Sequence, residues 1–215
     1  MLLTGGTKGL PALLAAYGIT PPRLPWIAGK YRGKGLVVCG DAAGVWDDLE
    51  AFGCRSETRG GSIDKPGFDF MTVNKLVETF PGDVEHCFSN NAALLRKWRD
   101  ARRTEYGEFV VTHTHALQSG VDWLWPWAGG GTSGCGAVMS GLAMGYRPVV
   151  LCGLPLDDGP HNGEPPWRRT KFASSEAAGS DGGPDLHWRR LIDCLGDAIF
   201  SMSGRTREWF GAPHG

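Results

Sequence analysis

Four groups of residues carry types and spacings that can do chemistry. The first is Thr132-Ser133-Gly134, small residues opening a helical run, where free backbone N–H groups and a hydroxyl suit a phosphate. The second is the turn Gly40-Asp41-Ala42-Ala43-Gly44. Its small residues let a phosphate or ribose approach the backbone, although any strand-to-helix turn needs small residues too. The third is Asn74 and Ser89, each at the carboxyl end of an apolar run, where parallel α/β sheets present polar groups to ligands. The fourth is His187, in the first turn of a late helix, and His161, in a long polar loop. An imidazole titrates near neutrality and can carry a proton in either direction.

Metal chemistry has less to stand on. His113 and His115 alternate at strand spacing and so share a face, but no acidic third ligand stands near them. Asp157 and Asp158 could hold Mg²⁺ if the reaction were pyrophosphoryl transfer, and otherwise no cofactor is expected. Cys39, Cys54, Cys87, Cys135, Cys152 and Cys194 are widely spaced without a CxxC pair, which reads as reduced and largely buried thiols.

These groups need a frame, and the hydrophobic pattern supplies it. Leu36–Cys39, Phe68–Val73, Val84–Phe88, Phe109–Thr112 and Pro148–Cys152 are short apolar runs suited to buried strands. Between them lie helical patterns: one bearing Val45, Trp46, Leu49 and Phe52, a short one over Lys75–Phe80, and a third with Leu94, Leu95 and Trp98 inward. In that third helix Arg96, Lys97, Arg99, Arg102 and Arg103 point largely outward, as a solvated basic face. A small-residue helix follows Ser133, and Leu186–Phe200 reads as a last long helix with Asp185 as its cap. Val121–Trp127 sets Trp123, Trp125 and Trp127 at period two, so three indoles could stack on a base or pack against the N-terminal segment.

Alternating strands and helices imply an α/β fold, a single Rossmann-like open, mostly parallel sheet with flanking helices. We read residues 1–33 as an N-terminal appendage and 34–215 as the nucleotide-binding domain, with a long loop over 157–185. The chain has 215 residues with 41% hydrophobic and 21% charged, which fits one globular domain. A formal net charge of −1 gives no general pull toward nucleic acid or membrane. The 33 glycines are about twice the usual share and follow no period, so they mark turns and close approaches. No signal peptide or membrane span is evident, which leads to an expected cytoplasmic location.

The run Thr132-Ser133-Gly134, Leu142-Ala143-Met144-Gly145-Tyr146 and Val149-Val150-Leu151-Cys152-Gly153 resembles a Rossmann-like superfamily. That superfamily joins bacterial sialyltransferases using cytidine-monophosphate sugars with 6-hydroxymethylpterin diphosphokinase-like and flagellar accessory-factor proteins. Val38-Cys39-Gly40-Asp41 and Val73-Asn74-Lys75 match, in order, a glycine turn and a strand-end asparagine of those families. The Asp41 carboxylate stands where a neutral residue is usual, which suits ribose hydroxyls or a cation better than phosphate. Asp185-Leu186-His187 is similar to the sialyltransferase segment whose histidine is the general base.

The resemblance implies a nucleotide or nucleotide-sugar ligand and a glycosyltransferase-like reaction. Gly40, Asp41, Asn74, Ser89, Thr132, Ser133 and Gly134 would bind the ligand, with His187 as base and His161 in reserve. Two alternatives stay open: a metal-dependent pyrophosphoryl transferase using Asp157 and Asp158, and a nucleotide-binding protein without catalysis.

Overall fold

The computed structural model describes residues 9–20, 24–56, 62–127, 132–157, 159–165 and 183–213. Its centre is β1 (Gly35–Cys39), whose five residues are all buried. An apolar run buried on both faces belongs in the middle of a parallel sheet. On one side β1 pairs with β4 (Phe68–Val73), on the other with β8 (Val149–Cys152).

Beyond them lie β5 (His86–Phe88), β6 (Val111–Thr114), β7 (Trp123–Leu124) and β9 (Ile199–Ser201). The seven-stranded order is β7-β6-β5-β4-β1-β8-β9, and every pairing in it is parallel. β2 (Arg55–Ser56) and β3 (Ile63–Asp64) form a separate antiparallel pair. The chain runs outward from β1 to β7 and then returns to its other side at β8. The crevice at the carboxyl ends of β1 and β8 is therefore the topological switch point, where open α/β sheets take ligands.

One face of the sheet is covered by α4 (Ser133–Met144), which is buried over Gly134–Met144. Only small residues permit that closeness: a Cβ at Gly136 would strike the Phe88 ring, and one at Gly141 would meet Leu36 at 2.5 Å. Thr132 caps the helix by accepting from Cys135 N at 3.2 Å, and Gly145, at φ 104°, ends it in a left-handed turn. α1 (Gly9–Ala16) and α5 (Gly183–Leu195) share this side. Leu13, Leu14, Trp188 and Leu191 join Leu36, Val38 and Phe88 in one apolar cluster. α2 (Val45–Ala51) and α3 (Ala92–Tyr106) serve the opposite face, whose core holds Val37, Leu49, Leu95 and Trp98. α6 (Gly204–Phe210) closes the β9 end.

Several expectations shift. Ile199–Ser201 is a strand and not the tail of a helix: α5 stops at Leu195, a short 3₁₀ turn follows, and the chain enters the sheet beside β8. β6 starts two residues late because Phe109 is 67% exposed and lies outside the sheet. In α3 the inward face carries Ala92, Leu95, Trp98 and Arg102, while Leu94 is exposed. Arg102 is fully buried, not outward. It donates to Glu108 at 2.8 and 2.6 Å and to the carbonyls of Val77, Phe80 and Gly82. A guanidinium has enough donors to satisfy several carbonyls that helix propensity alone cannot anticipate.

Trp125 and Trp127 are core residues stacked on each other, with centroids 5.7 Å apart, while Trp123 meets Trp26 of the N-terminal segment at 5.2 Å. The indoles therefore pack inward and onto that segment. Cys39, Cys87, Cys135, Cys152 and Cys194 are buried free thiols, and Cys54 is half-buried. Among the described residues no helix is long and apolar enough to cross a membrane.

Candidate functional site

β4 ends at Val73, and Asn74 then adopts φ 57°, a left-handed backbone that few residues other than Gly and Asn enter readily. This kink turns the chain into a 3₁₀ turn over Asn74–Glu78 and holds the Asn74 amide at the sheet's carboxyl edge. Its Oδ1 accepts from Ser89 Oγ at 2.7 Å, and Ser89 Oγ in turn accepts from Asn91 N at 2.9 Å. The Ser89 hydroxyl is buried and gives its one proton to this bond, so it fixes the amide with the NH₂ on the other side. Next to it, Asn90 N donates to Ser133 Oγ at 3.0 Å. Asn74, Ser89 and Ser133 thus converge where β4 and β5 end and α4 begins.

The other residues of the expected ligand set have visible structural roles. Thr132 is the helix cap described above. Gly134 has no room for a side chain, since a Cβ would lie 2.8 Å from Leu154 Cδ2. Gly40 is required by the Gly153 carbonyl and the Leu154 side chain, which occupy the space a Cβ would need. Its glycine is explained by the close approach of β1 and β8.

Asp41 is half-buried beside the segment 159–165. Its backbone carbonyl accepts from Asn162 N at 2.7 Å and faces His161 Nδ1 at 3.2 Å. A carbonyl can only accept, so the His161 proton sits on Nδ1 and Nε2 is left as a base. Burial raises the Asp41 carboxyl pKa, His161 and Lys75 oppose that, and Glu164 adds to it. His161 is exposed and pairs with the Asp41 turn.

His187 does not sit on an open rim: it is buried, 9% exposed, between α5 and the N-terminal segment. Tyr17 Oη lies 2.6 Å from its Nδ1, and the two rings stack at 5.6 Å. Burial first, and Cys135 second, push the Tyr17 hydroxyl pKa up, while Arg190 pulls it back. Cys135 and the contact between Gly134 and Trp188 put this histidine beside the first turn of α4. Helix α5 starts at Gly183, so Asp185 lies inside it, and the Asp185 side chain falls outside the described residues.

Sequence spacing gave no sign of Tyr17, because its partner is 170 positions away. Asp48 was also missed. It accepts from Gly153 N at 2.7 Å and Ser203 Oγ at 2.6 Å, and so ties α2 to the turn after β8.

At the switch point a cavity of about 350 Å³ is lined by Ala42, Gly44, Asp47, Gly153, Asp157 and Ser203, among others. Its charged lining is acidic, so a phosphate is disfavoured there and favoured at the N-terminus of α4. Asp157 is exposed and accepts from Gly159 N at 2.9 Å; Asp158 lies outside the described residues. Among the described residues no group of three His, Cys, Asp or Glu side chains could hold a metal ion.

His113 has both ring nitrogens engaged. Trp125 Nε1 donates to its Nδ1 at 3.1 Å, and its Nε2 meets His86 Nδ1 at 3.1 Å. From His86 Nε2 the chain continues to Tyr146 Oη at 3.0 Å, Asp69 Oδ2 at 2.7 Å and Lys34. Because the indole can only donate, each imidazole carries its proton on Nε2, and every donor finds an acceptor. Burial drives the His86 pKa down to about 4 and that of His113 well below its usual value. The pair is a structural relay that runs from His113, level with Phe88 across the sheet, to His86 at the start of β5 and Asp69 near the start of β4.

No protein-family model and no curated protein matches the sequence. Among solved structures the fold is similar to that of the sialyltransferase CstII from Campylobacter jejuni, in complex with a substrate analogue, CMP-3FNeuAc. The likeness covers 83% of this chain and 86% of that one, with a TM-score of 0.51 and 11% identity. What the two chains share at that identity is the α/β fold.

Proposed function

We propose that the protein is a nucleotide-sugar-dependent glycosyltransferase-like enzyme. The observation that carries the reading is the meeting of two hydrogen bonds at the N-terminus of α4, Ser89 Oγ to Asn74 Oδ1 and Asn90 N to Ser133 Oγ. Fixed amide and hydroxyl groups there, with helix N–H groups behind them, suit the phosphate of a nucleotide. The fold neighbour, a sialyltransferase with a CMP-sugar analogue, supports the same ligand class.

In this scheme the acceptor oxygen bonds to the sugar's anomeric carbon while the bond from that carbon to the phosphate oxygen breaks. The nucleoside monophosphate leaves with the electron pair, and His187 takes the acceptor's proton. For that task the Tyr17 hydroxyl, 2.6 Å from His187 Nδ1, orients the imidazole. Asp41, with its raised pKa, is suited to ribose hydroxyls, and His161 is the reserve base. No metal is assigned a step; in the pyrophosphoryl-transfer alternative Mg²⁺ would sit at Asp157 and Asp158.

Thermal unfolding against a panel of nucleotides and nucleotide sugars tests the reading. A ligand at 100 times its Kd stabilises by about 2.7 kcal/mol. A midpoint that moves with a CMP or related sugar nucleotide supports it, and no movement with any of them overturns it.

A further inference from the structure

The carboxyl edge holds one more imidazole. Phe88 closes β5 with its ring beneath Gly136, in the first turn of α4. On the neighbouring strand, His115 follows β6, and its ring centroid is 6.5 Å from that of Phe88. The Phe88 ring faces α4, since a Cβ at Gly136 would strike it. His115 therefore stands on the α4 side, one strand from Ser89, whose N–H donates to the His113 carbonyl at 3.1 Å.

Nδ1 of His115 is enclosed and has no hydrogen-bond partner among the described residues. Enclosed N–H groups without acceptors are rarer in folded proteins than enclosed acceptors without donors, so the proton belongs on Nε2. The residue is only half-buried, and with Nδ1 enclosed the open edge of the ring carries Nε2–H. Burial lowers the imidazole's pKa, which keeps it a neutral, single-proton donor at neutral pH.

We propose that His115 contacts the ligand, donating Nε2–H to an oxygen of the phosphate bound at the N-terminus of α4. This rests on the nucleotide-sugar reading given above. It adds a donor from the segment after β6, so that the phosphate is held from two parts of the chain.

Calorimetric titration of the wild type, His115→Phe and His115→Gln with CMP-3FNeuAc and with cytidine tests it. Loss of a hydrogen bond to a charged group weakens binding by about tenfold or more. His115→Phe should therefore weaken CMP-3FNeuAc by that factor and leave cytidine unchanged, and His115→Gln, which keeps an N–H, should recover part of the loss. Equal CMP-3FNeuAc affinity in the wild type and His115→Phe overturns the proposal. Equal weakening of both ligands also overturns it, because the contact would then lie elsewhere than the phosphate. If the wild type binds neither of these nor any other nucleotide or nucleotide sugar of the panel, the nucleotide reading itself fails and takes this one with it.

Discussion

The Tyr17 hydroxyl and the His187 imidazole lie 2.6 Å apart, joining the segment after α1 to α5 across 170 positions. Arg190, on the same helix as His187, stands 5.1 Å over the Tyr17 ring. The proposed base is therefore oriented by a residue from the far end of the chain, and both members can be tested.

His187→Ala is expected to lower kcat by roughly 10²- to 10⁴-fold, the usual range for a positioned general base, with nucleotide affinity retained. Tyr17→Phe removes only the orienting hydroxyl and should lower kcat by roughly five- to tenfold, equivalent to one hydrogen bond. Steady-state kinetics with a CMP-sugar donor decide it; a His187→Ala enzyme with wild-type kcat ends the assignment.

Asn74 separates backbone from side-chain effects. Asn74→Gly accepts φ 57° without strain but, like alanine, leaves the buried Ser89 hydroxyl without its acceptor, so it should lose ligand affinity and unfold below the wild type yet above Asn74→Ala. Asn74→Ala should lose affinity and also a further ~1 kcal/mol of stability, because an alanine in the left-handed region is strained. Equal midpoints for the two variants, measured by thermal unfolding, would show that the backbone turn is not the reason for the asparagine.

The His86–His113 relay predicts an acid-sensitive fold. An imidazole whose folded pKa is depressed contributes stability above its unfolded value near 6.5, and that contribution fades as pH falls toward the folded value of about 4. For His86 the loss reaches roughly 3 kcal/mol. Asp41 and Glu85, whose carboxyls burial pushes up, act in the opposite sense and offset part of it. Urea unfolding between pH 7 and pH 4 should show a falling midpoint; a flat profile would mean that the relay opens without cost.

EDTA should leave glycosyl transfer unchanged. Turnover that vanishes with chelator and returns with Mg²⁺ would favour the pyrophosphoryl alternative over the scheme drawn here.

Much of the frame was legible because periodicity reports faces. Phe68–Val73 is a strand over the expected residues, and Asn74 and Ser89 lie at strand ends as the pattern implied. Periodicity does not report partners. The spacing of His113 and His115 revealed a shared face but not the indole and imidazole that saturate His113. Ile199–Ser201 was hidden because three residues continue an amphipathic helix as well as they make a strand. At Gly40 a sequence cannot show that the Gly153 carbonyl fills the space a Cβ would need.

The position of β1 between β4 and β8 also bears on how the protein is made. Translation at about 5–20 residues per second puts on the order of ten seconds between the appearance of Cys39 and that of Cys152. Throughout that interval one long edge of the most buried strand has no neighbour, and bare strand edges recruit other chains. The nascent protein is most exposed to aggregation then, and a pause in synthesis before Val149 would lengthen the danger while one after Ser201, with β9 able to cover β8, would not.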